Sequence, residues 1–310
     1  MKTVLLTGAS GYIASLMLPT LRERYDLRLI DNRAEDGFGR PVEGLQIRDI
    51  SDINKMDEYR DLFRGVDTVV HLAFGRLSNP SLHPQFMSER RNIDMAYIVY
   101  QLSLEEGVNR VVMASSNHAA DFYERPLRDG RLEHFTPTDR RPLADNFYGW
   151  AKEVYEHLGF VYASGASGRP TVGEVRPEDR PRRLGVVQIR IGAPRDLAIT
   201  SFAGKLKDDP KTLHRDLAMW VSPRDLTQLF VKSIDAPNID DEWGIPFQVF
   251  NGMSANTRSH WSLANARRVI GYEPQDDSEV VYAGEIRELI LDPLRASMVS
   301  GAAQGGKGSR

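Results

Sequence analysis

The chain of 310 residues contains no cysteine. It therefore cannot form a disulfide, attack a substrate with a thiolate or hold a cysteine-ligated metal or cluster. Its seven histidines are scattered along the chain without the spacing of a metal-binding motif. We therefore expect no metal site.

A strong excess of one charge is also absent, and so are long apolar runs. The 40 basic and 43 acidic residues give a formal net charge of −3, which leaves no electrostatic footprint for nucleic acid or for an anionic membrane. No apolar stretch approaches the roughly 20 residues that a membrane-spanning helix needs, and the N-terminus has no signal-peptide layout. We therefore expect a cytoplasmic protein that binds neither nucleic acid nor membranes.

A glycine turn follows the first predicted strand, Lys2–Thr7, and leads into a helix predicted over Tyr12–Arg24. Gly8 permits a tight turn, Gly11 lets a bulky anion approach the backbone, and the small Ala14 lets the helix pack on the strand. The free N–H groups of the helix then face the anion, so a diphosphate fits there. An ordinary turn between strand and helix shares this pattern, so we look for an acidic residue about 20 positions on.

Asp31 stands at that distance and closes the next apolar run, Leu27–Ile30. Its carboxylate can bind ribose hydroxyls and would repel a 2′-phosphate, which favours NAD over NADP. A third predicted strand, Leu45–Arg48, leads into Asp49 and Ile50, which are placed to contact an adenine. Asp49 fits the N-cap of the following helix equally well.

Strands and helices continue to alternate as far as residue 191. The next predicted elements are Ile53–Phe63, Thr68–Leu72, Met87–Glu106 and Arg110–Ala114. Repeated strand–helix units of this length predict an α/β fold of the Rossmann type, a doubly wound parallel sheet with helices on both faces. We expect residues 1–191 to form an NAD-binding domain that carries an inserted loop at 164–183.

After residue 191 the alternation fails and helical patterns prevail. Helices are predicted over Ser201–Lys207, Arg224–Ser233, Trp261–Val269 and Val280–Met298. We expect residues 192–299 to form a small, mostly helical substrate lobe, with a strand at 246–251 that returns to the sheet. The tail, 300–310, is too poor in apolar residues to order itself.

Four polar residues follow the fifth predicted strand: Ser115, Ser116, Asn117 and His118. Ligands bind doubly wound sheets at the carboxyl ends of the strands, so these side chains stand where a site is expected. Serine and asparagine are also routine turn formers, and taken alone the run fits a turn as well as a site.

A helix predicted to begin at Tyr148 carries Lys152 one turn later, on the same face. A tyrosine with a pKa of about 10 is a poor base at neutral pH, but a neighbouring ammonium and a nicotinamide cation both favour the phenolate. A packed aromatic beside a surface lysine has the same spacing. The interpretation as a base therefore depends on the glycine turn and the strand-end serine occurring in the same chain.

The order of these motifs resembles the extended short-chain dehydrogenase/reductases, which are NAD-dependent and epimerase/dehydratase-like. The chain has TGxxGxxA at Thr7–Ala14 and YxxxK at Tyr148 and Lys152. The resemblance implies that Tyr148 is the catalytic acid and base, and that Lys152 lowers its pKa and holds the nicotinamide ribose. Ser116 would orient the substrate hydroxyl, with Ser115 as the alternative.

Residue patterns and resemblance together predict the cofactor-binding residues. They are Gly8, Gly11, Tyr12, Ile13, Asp31, Asn32, Arg33, Asp49, Ile50, Leu72, Ala73, Phe74, Asn92, Tyr148, Lys152 and Ile191. The family resemblance also implies a homodimer or higher homo-oligomer that assembles through helices 87–106 and 148–163.

A finer resemblance is to the uronate dehydrogenases, which carry ASSNH as this chain does at Ala114–His118. Arg215–Ser222 is similar to their R-x-L-x-x-W-x-S segment, and Gly252–Asn256 is similar to their G-x-S-A-N loop. The implied reaction is oxidation of the anomeric hydroxyl of a hexuronate to an aldarolactone, with the substrate carboxylate paired to Arg215. The implied substrate-binding residues are Ser78, Ser116, Asn117, His118, Tyr148 and Arg215.

Several departures from that group leave the sugar open. Ala193 stands where that group has a serine after the sixth strand. Phe74 and Arg76 stand in the turn after the fourth strand, which in that group is small and contains two glycines. Arg215 could also be an ordinary surface residue with no role in substrate binding. The alternatives are a dehydrogenase of another aldose or sugar phosphate, a nucleotide-sugar epimerase that retains NAD, and a non-catalytic, NAD-sensing regulatory protein.

Overall fold

Seven parallel strands form one sheet in the computed structural model, which describes residues 1–76, 82–129, 131, 141–165, 183–197, 210–295 and 297. The strands are β1 (Thr3–Thr7), β2 (Asp26–Asp31), β3 (Leu45–Ile47), β4 (Thr68–His71), β5 (Arg110–Ser116), β6 (Gly185–Ile191) and β7 (Phe247–Gly252). Their order is β3-β2-β1-β4-β5-β6-β7, and every neighbouring pair is parallel. The predicted Rossmann-type fold is confirmed.

The helices cover both faces of the sheet. They are α1 (Tyr12–Arg24), α2 (Leu82–Glu105), α3 (Glu124–Arg128), α4 (Phe147–Ser164), α5 (Pro210–Met219), α6 (Pro223–Asp235), α7 (Ala264–Ile270), α8 (Ser278–Val281) and α9 (Ala283–Ile286). Two 3₁₀ segments, Ile53–Leu62 and Asn117–Tyr123, and a π-helical turn, Arg287–Leu291, are also present. Within the described part of the chain, no helix has the length and apolarity to cross a membrane.

Two apolar layers hold the helices to the sheet. Val4 and Leu6 of β1 pack with α1 and α6 on one face, and Leu5 packs with α2 and α4 on the other. This alternation follows from the period of two in a strand, since successive side chains point to opposite faces. A strand buried on both faces must be apolar throughout, which is why β1 reads as a continuous apolar run.

The structure differs from the sequence prediction in several bounds. β5 includes Ser115 and Ser116, so both serines belong to the strand, and α2 begins at Leu82 rather than at Met87. α5 was not predicted, and the long helix predicted over Val280–Met298 begins at Ser278, is interrupted at Tyr282 and continues through the π-helical turn to residue 295. The helix predicted over Ser201–Lys207, most of the inserted loop and the tail lie outside the described residues.

β7 pairs with β6 at the edge of the sheet, as expected for a strand that returns from the C-terminal part. α2 and α4 lie against each other on one face. Their use as a subunit interface stays a prediction, and so does the division into an NAD-binding domain and a substrate lobe.

A buried ion pair joins α4 to the sheet. Arg190 of β6 donates from Nε to Oε1 of Glu156 at 2.8 Å and from Nη2 to Oε2 at 2.6 Å. The exposed fractions of the two side chains are 1% and 6%. Ser115 Oγ also donates to Glu156 Oε1, at 2.7 Å. The carboxylate therefore holds α4, β5 and β6 together just below the ends of the strands.

Replacing Glu156 with glutamine should lower the free energy of unfolding by about 3–5 kcal/mol, because the buried guanidinium loses its counter-charge. Chemical denaturation of the purified variant would measure the change. The control is Glu105→Gln, since Glu105 pairs with Arg60 at the surface and such a pair contributes about 0–1 kcal/mol. Equal, small effects of the two substitutions would contradict the assigned role.

Candidate active site

The glycine turn between β1 and α1 is shaped to receive an anion. Gly8 has a φ of +73°, and a Cβ built there would lie 2.5 Å from the backbone nitrogen of Ala73. α1 begins after Gly11 with no side-chain cap and no acidic residue in its first turn. No side chain at its N-cap occupies the first N–H groups, which fits a diphosphate at a helix N-terminus.

Asp31 ends β2 beside this turn. Its carboxylate accepts hydrogen bonds from the backbone N–H of Ser10 at 3.0 Å and of Asn32 at 2.7 Å, with Arg33 N at 3.3 Å. These bonds aim the carboxylate at the glycine turn, where the ribose of NAD would lie. The arrangement of diphosphate turn and acid at adjacent strand ends fits NAD.

Two other residues border the predicted cofactor path near the glycine turn. Tyr12 is half exposed and donates its hydroxyl to the carbonyl of Pro194 at 2.7 Å. Ile13, in the first turn of α1, is partly buried against the apolar core. Tyr12 therefore links the start of α1 to the segment that follows β6.

Asp49 and Ile50 occupy different environments. Ile50 is buried, whereas Asp49 is half exposed and accepts from Ser51 N at 3.0 Å and from Arg91 Nη2 at 3.3 Å. Asp52 is the N-cap of the following 3₁₀ segment, accepting from Asn54 N. The alternative role of Asp49 as that N-cap is therefore wrong.

The end of β4 brings three predicted cofactor residues, Leu72, Ala73 and Phe74, to the same place. The ring of Phe74 meets that of Tyr148 edge-on, with centroids 5.2 Å apart. Asn92 is buried on α2 and binds the turn after β4 through both polar atoms of its amide. Oδ1 accepts from Gly75 N at 2.8 Å, and Nδ2 donates to Gly75 O at 3.0 Å. Its visible role is to hold this turn. Ser78 lies outside the described residues.

Tyr148, Lys152 and Ser116 are brought together at the carboxyl end of β5. The side chain of Ser116 lies beside the Tyr148 hydroxyl and lowers its pKa. Lys152 is buried, and its Nζ donates to the carbonyl of Ala114 at 2.9 Å. Nζ also lies 5.6 Å from the ring centroid of Tyr148. The predicted group of base, ammonium and hydroxyl therefore exists as a cluster.

Burial is the main influence on the ionisation of this cluster. It raises the pKa of Tyr148, while the hydrogen bond with Ser116 lowers that pKa and the charge of Glu89 raises it. Burial lowers the pKa of Lys152 to about 8, against the charges of Glu89 and Glu156, which raise it. Without further positive charge Tyr148 is thus a neutral phenol at neutral pH, and a nicotinamide cation would favour its phenolate.

The two serines of β5 have different partners. Ser115 Oγ donates to Glu156 at 2.7 Å and so belongs to the buried ion pair. Ser116 Oγ accepts from the backbone N–H of His118 at 3.3 Å and contacts Tyr148. The structure therefore favours Ser116 over Ser115 as the residue that orients a substrate hydroxyl.

His118 is held by an acid that the sequence analysis did not identify. Its Nδ1 lies 2.7 Å and 2.8 Å from the two carboxylate oxygens of Asp121, and its ring centroid is 5.4 Å from that of Tyr148. Asn146, the N-cap of α4, donates to Asp121 at 2.7 Å. With Nδ1 engaged, Nε2 is the ring nitrogen left to face a ligand.

Asn117 is buried beside the end of β6. Its amide is satisfied when the nitrogen donates to Ile191 O at 3.0 Å and the oxygen accepts from His118 N at 3.2 Å. A Cβ on Gly149 would lie 2.2 Å from His118 O. The glycine after Tyr148 therefore lets the segment that carries Asn117 and His118 lie directly against α4.

Arg215 lies on α5 and is already paired. Its guanidinium donates from Nε to Glu124 Oε2 at 2.6 Å and from Nη2 to Glu124 Oε1 at 2.8 Å. Nη1 donates to Asp216 Oδ1 at 3.3 Å. The residue predicted to receive a substrate carboxylate is thus bound to a carboxylate of the protein.

The residues that sequence reasoning missed are all acidic: Glu89, Asp121, Glu124 and Glu156. A sequence signal existed for three of them. Glu156 follows Lys152 by four positions, Glu89 precedes Asn92 by three and Asp121 follows His118 by three, so each is about one helical turn from a predicted site residue. Glu124 had no such signal, because its partner lies far away in the sequence.

Comparisons with known proteins identify the family of the chain. The model of the NAD dependent epimerase/dehydratase family matches residues 4–173. NAD-dependent glucose-6-phosphate dehydrogenase of Haloferax volcanii is 30% identical over 91% of this chain and 97% of its own length. L-arabinose 1-dehydrogenase (NAD(P)(+)) of the same organism is 29% identical over 91% of this chain and 99% of its own.

Solved structures show the same likeness. The crystal structure of uronate dehydrogenase from Agrobacterium tumefaciens superposes with a TM-score of 0.63 at 25% identity, over 93% of this chain and 89% of that one. The family match spans more than half of the chain and includes the glycine turn, Asp31, Ser116, Tyr148 and Lys152. The chain is an NAD-dependent oxidoreductase, and it belongs to the NAD dependent epimerase/dehydratase family.

Proposed function

We propose that the chain oxidises the anomeric hydroxyl of a cyclic sugar to a lactone and passes the hydride to NAD. The observation that carries the proposal is the cluster at the end of β5, in which Tyr148 contacts Ser116 above the buried amine of Lys152. Two relatives with full-length similarity are named as sugar dehydrogenases, and one of them is named for oxidation at carbon 1.

The residues of this cluster divide the reaction among them. Ser116 and Tyr148 hold the sugar hydroxyl, and the Tyr148 phenolate accepts its proton as the carbonyl forms. The ammonium of Lys152 stabilises the phenolate before that transfer. NAD, when bound, supplies the nicotinamide ring that accepts the hydride from carbon 1. His118, fixed through Nδ1 by Asp121, offers Nε2 to another sugar hydroxyl.

The resemblance to the uronate dehydrogenases implies a hexuronate as the sugar. The chain keeps the serine, asparagine, histidine and arginine of that group, here Ser116, Asn117, His118 and Arg215, which supports a hexuronate as the substrate. A second candidate is an aldose without a carboxylate, because Arg215 is engaged by Glu124. Both candidates share the chemistry at carbon 1 and differ only at the far end of the sugar.

Replacing Tyr148 with phenylalanine should lower kcat by about 10²–10⁴-fold, the contribution typical of a general base. The assay follows the absorbance of NADH with a panel of uronic acids, neutral aldoses and sugar phosphates. NAD binding, measured by calorimetry, should persist in the variant. Net NADH formation also separates a dehydrogenase from an epimerase, which returns the hydride to its product.

Tyr155→Phe is the matched control, since this tyrosine lies two turns along the same helix. Its buried hydroxyl has no hydrogen-bond partner among the described residues, and the substitution keeps the ring that packs under Lys152. We expect its activity to stay within about twofold of the wild type. Equal activity of Tyr148→Phe and the wild type would end the assignment of the base.

Replacing Lys152 with methionine should move the acid limb of the pH profile of kcat/KM to higher pH. The rate rises with pH as Tyr148 loses its proton, and the ammonium of Lys152 favours that loss. Removing the ammonium raises the pKa of Tyr148, so the limb should move up by about 1 to 3 pH units.

Lys152→Arg keeps the positive charge and serves as the control for this profile. The acid limb of kcat/KM for Lys152→Arg should stay near the wild-type pH, even if kcat changes. The acid limb for Lys152→Met should move to higher pH. Superimposable limbs for the wild type and Lys152→Met would show that the amine does not tune the base.

A further inference from the structure

We infer that Glu124 determines the substrate class of this site by occupying Arg215, so that the site selects sugars whose far end carries no anionic group. The inference rests on the proposed function, since it concerns the end of the same sugar that lies away from carbon 1. Its basis is the pairing of the one arginine that the resemblance assigns to a substrate carboxylate.

The geometry of the pair is that of carboxylate recognition. Both oxygens of Glu124 accept from Arg215, at 2.6 Å and 2.8 Å, in the parallel fork that a bound uronate carboxylate would otherwise make. The exposed fractions of the side chains are 20% for Arg215 and 14% for Glu124. Glu124 therefore stands where the substrate anion would bind, and the pair is largely shielded from water.

The remaining nitrogen of the Arg215 guanidinium also donates to a carboxylate. Nη1 donates to Asp216 Oδ1 at 3.3 Å, and Asp216 Oδ2 lies 3.2 Å from Nη2 of Arg195. Two guanidinium groups thus face two carboxylates, and their charges cancel. The charge of Asp121 also acts on Arg215. A substrate anion would add another negative charge to a cluster that has no excess of positive charge.

The position of Glu124 ties this pair to the substrate end of the site. Glu124 begins α3 directly after the 3₁₀ segment Asn117–Tyr123, which carries His118 and Asp121. The pair therefore lies next to the segment that, by resemblance, contacts the sugar. An incoming carboxylate could reach Arg215 only by displacing Glu124, whose charge would then be left without its counter-ion.

A second arginine near the site could bind a substrate anion instead of Arg215. Arg76 is exposed at the end of β4, and its charge acts on Tyr148. An anionic group on the sugar could bind Arg76 and leave the pair of Glu124 and Arg215 intact. The experiment therefore needs an arm that separates the two arginines.

The test compares sugars that differ only at carbon 6. D-Galactose is paired with D-galacturonate, and D-glucose with D-glucuronate and with D-glucose 6-phosphate, with kcat/KM measured for each with NAD. For the wild type we expect the neutral member of each set to be favoured at least tenfold. A wild-type preference for the anionic member overturns the inference, and loss of that preference in Arg76→Ala would assign the anion to the rival cation.

Glu124→Gln keeps the shape of the side chain and removes its charge, which frees the guanidinium for a substrate. We expect the ratio of galacturonate to galactose to rise at least tenfold in this variant and to fall back in Glu124→Gln/Arg215→Ala. Asp129→Asn is the matched control, since it removes one charge near the same helix from a carboxylate that pairs with Arg125 and Arg131. An unchanged ratio in folded Glu124→Gln overturns the inference.

Binding measured apart from turnover separates this inference from the proposed function. The thermal shift of the complex with NADH is recorded with galactose and with galacturonate, for the wild type and Glu124→Gln. If no sugar reduces NAD, the proposed function fails, while the binding preference still decides the inference. Should Glu124→Gln not fold, Glu124→Asp, which is too short to keep the fork, takes its place.

Discussion

The burial of the Lys152 amine against the end of β5 is the interaction on which the rest of the site depends. Nζ donates to Ala114 O at 2.9 Å, and the rings of Phe74, Tyr148 and Tyr155 lie around it. A charge in such surroundings is costly, which is why burial lowers the pKa of Lys152 to about 8. The protein thereby holds a weakly bound proton beside the phenol that we propose as the base.

Acidic side chains around this centre hold its elements together and act on its charged groups. Glu156 holds α4 to β5 and β6, Asp121 fixes the ring of His118, and Glu89 raises the pKa of Tyr148. Glu124 engages the arginine on α5. None of these carboxylates is required to touch the reacting atoms. We propose instead that their charges influence how strongly Tyr148 ionises and which sugars bind.

Some of the site could be predicted from the sequence, and the reason is visible in particular residues. Gly8 stands in a turn whose form depends on the residues next to it, and Tyr148 and Lys152 share a helix face through their spacing alone. The choice of Ser116 over Ser115 rested on the family resemblance alone, because the physical difference between them is the carboxylate of Glu156, which approaches from another element.

The sequence by itself determined the alternation of strands and helices, the glycine turn and the spacing of the base and its amine, because each follows from contacts between near neighbours in the chain. Only the tertiary structure decided which charges meet. Glu124 and Arg215 are 91 positions apart and come together because α3 and α5 pack at the same end of the sheet. No local pattern records such a contact, since its energy exists only once both elements are in place.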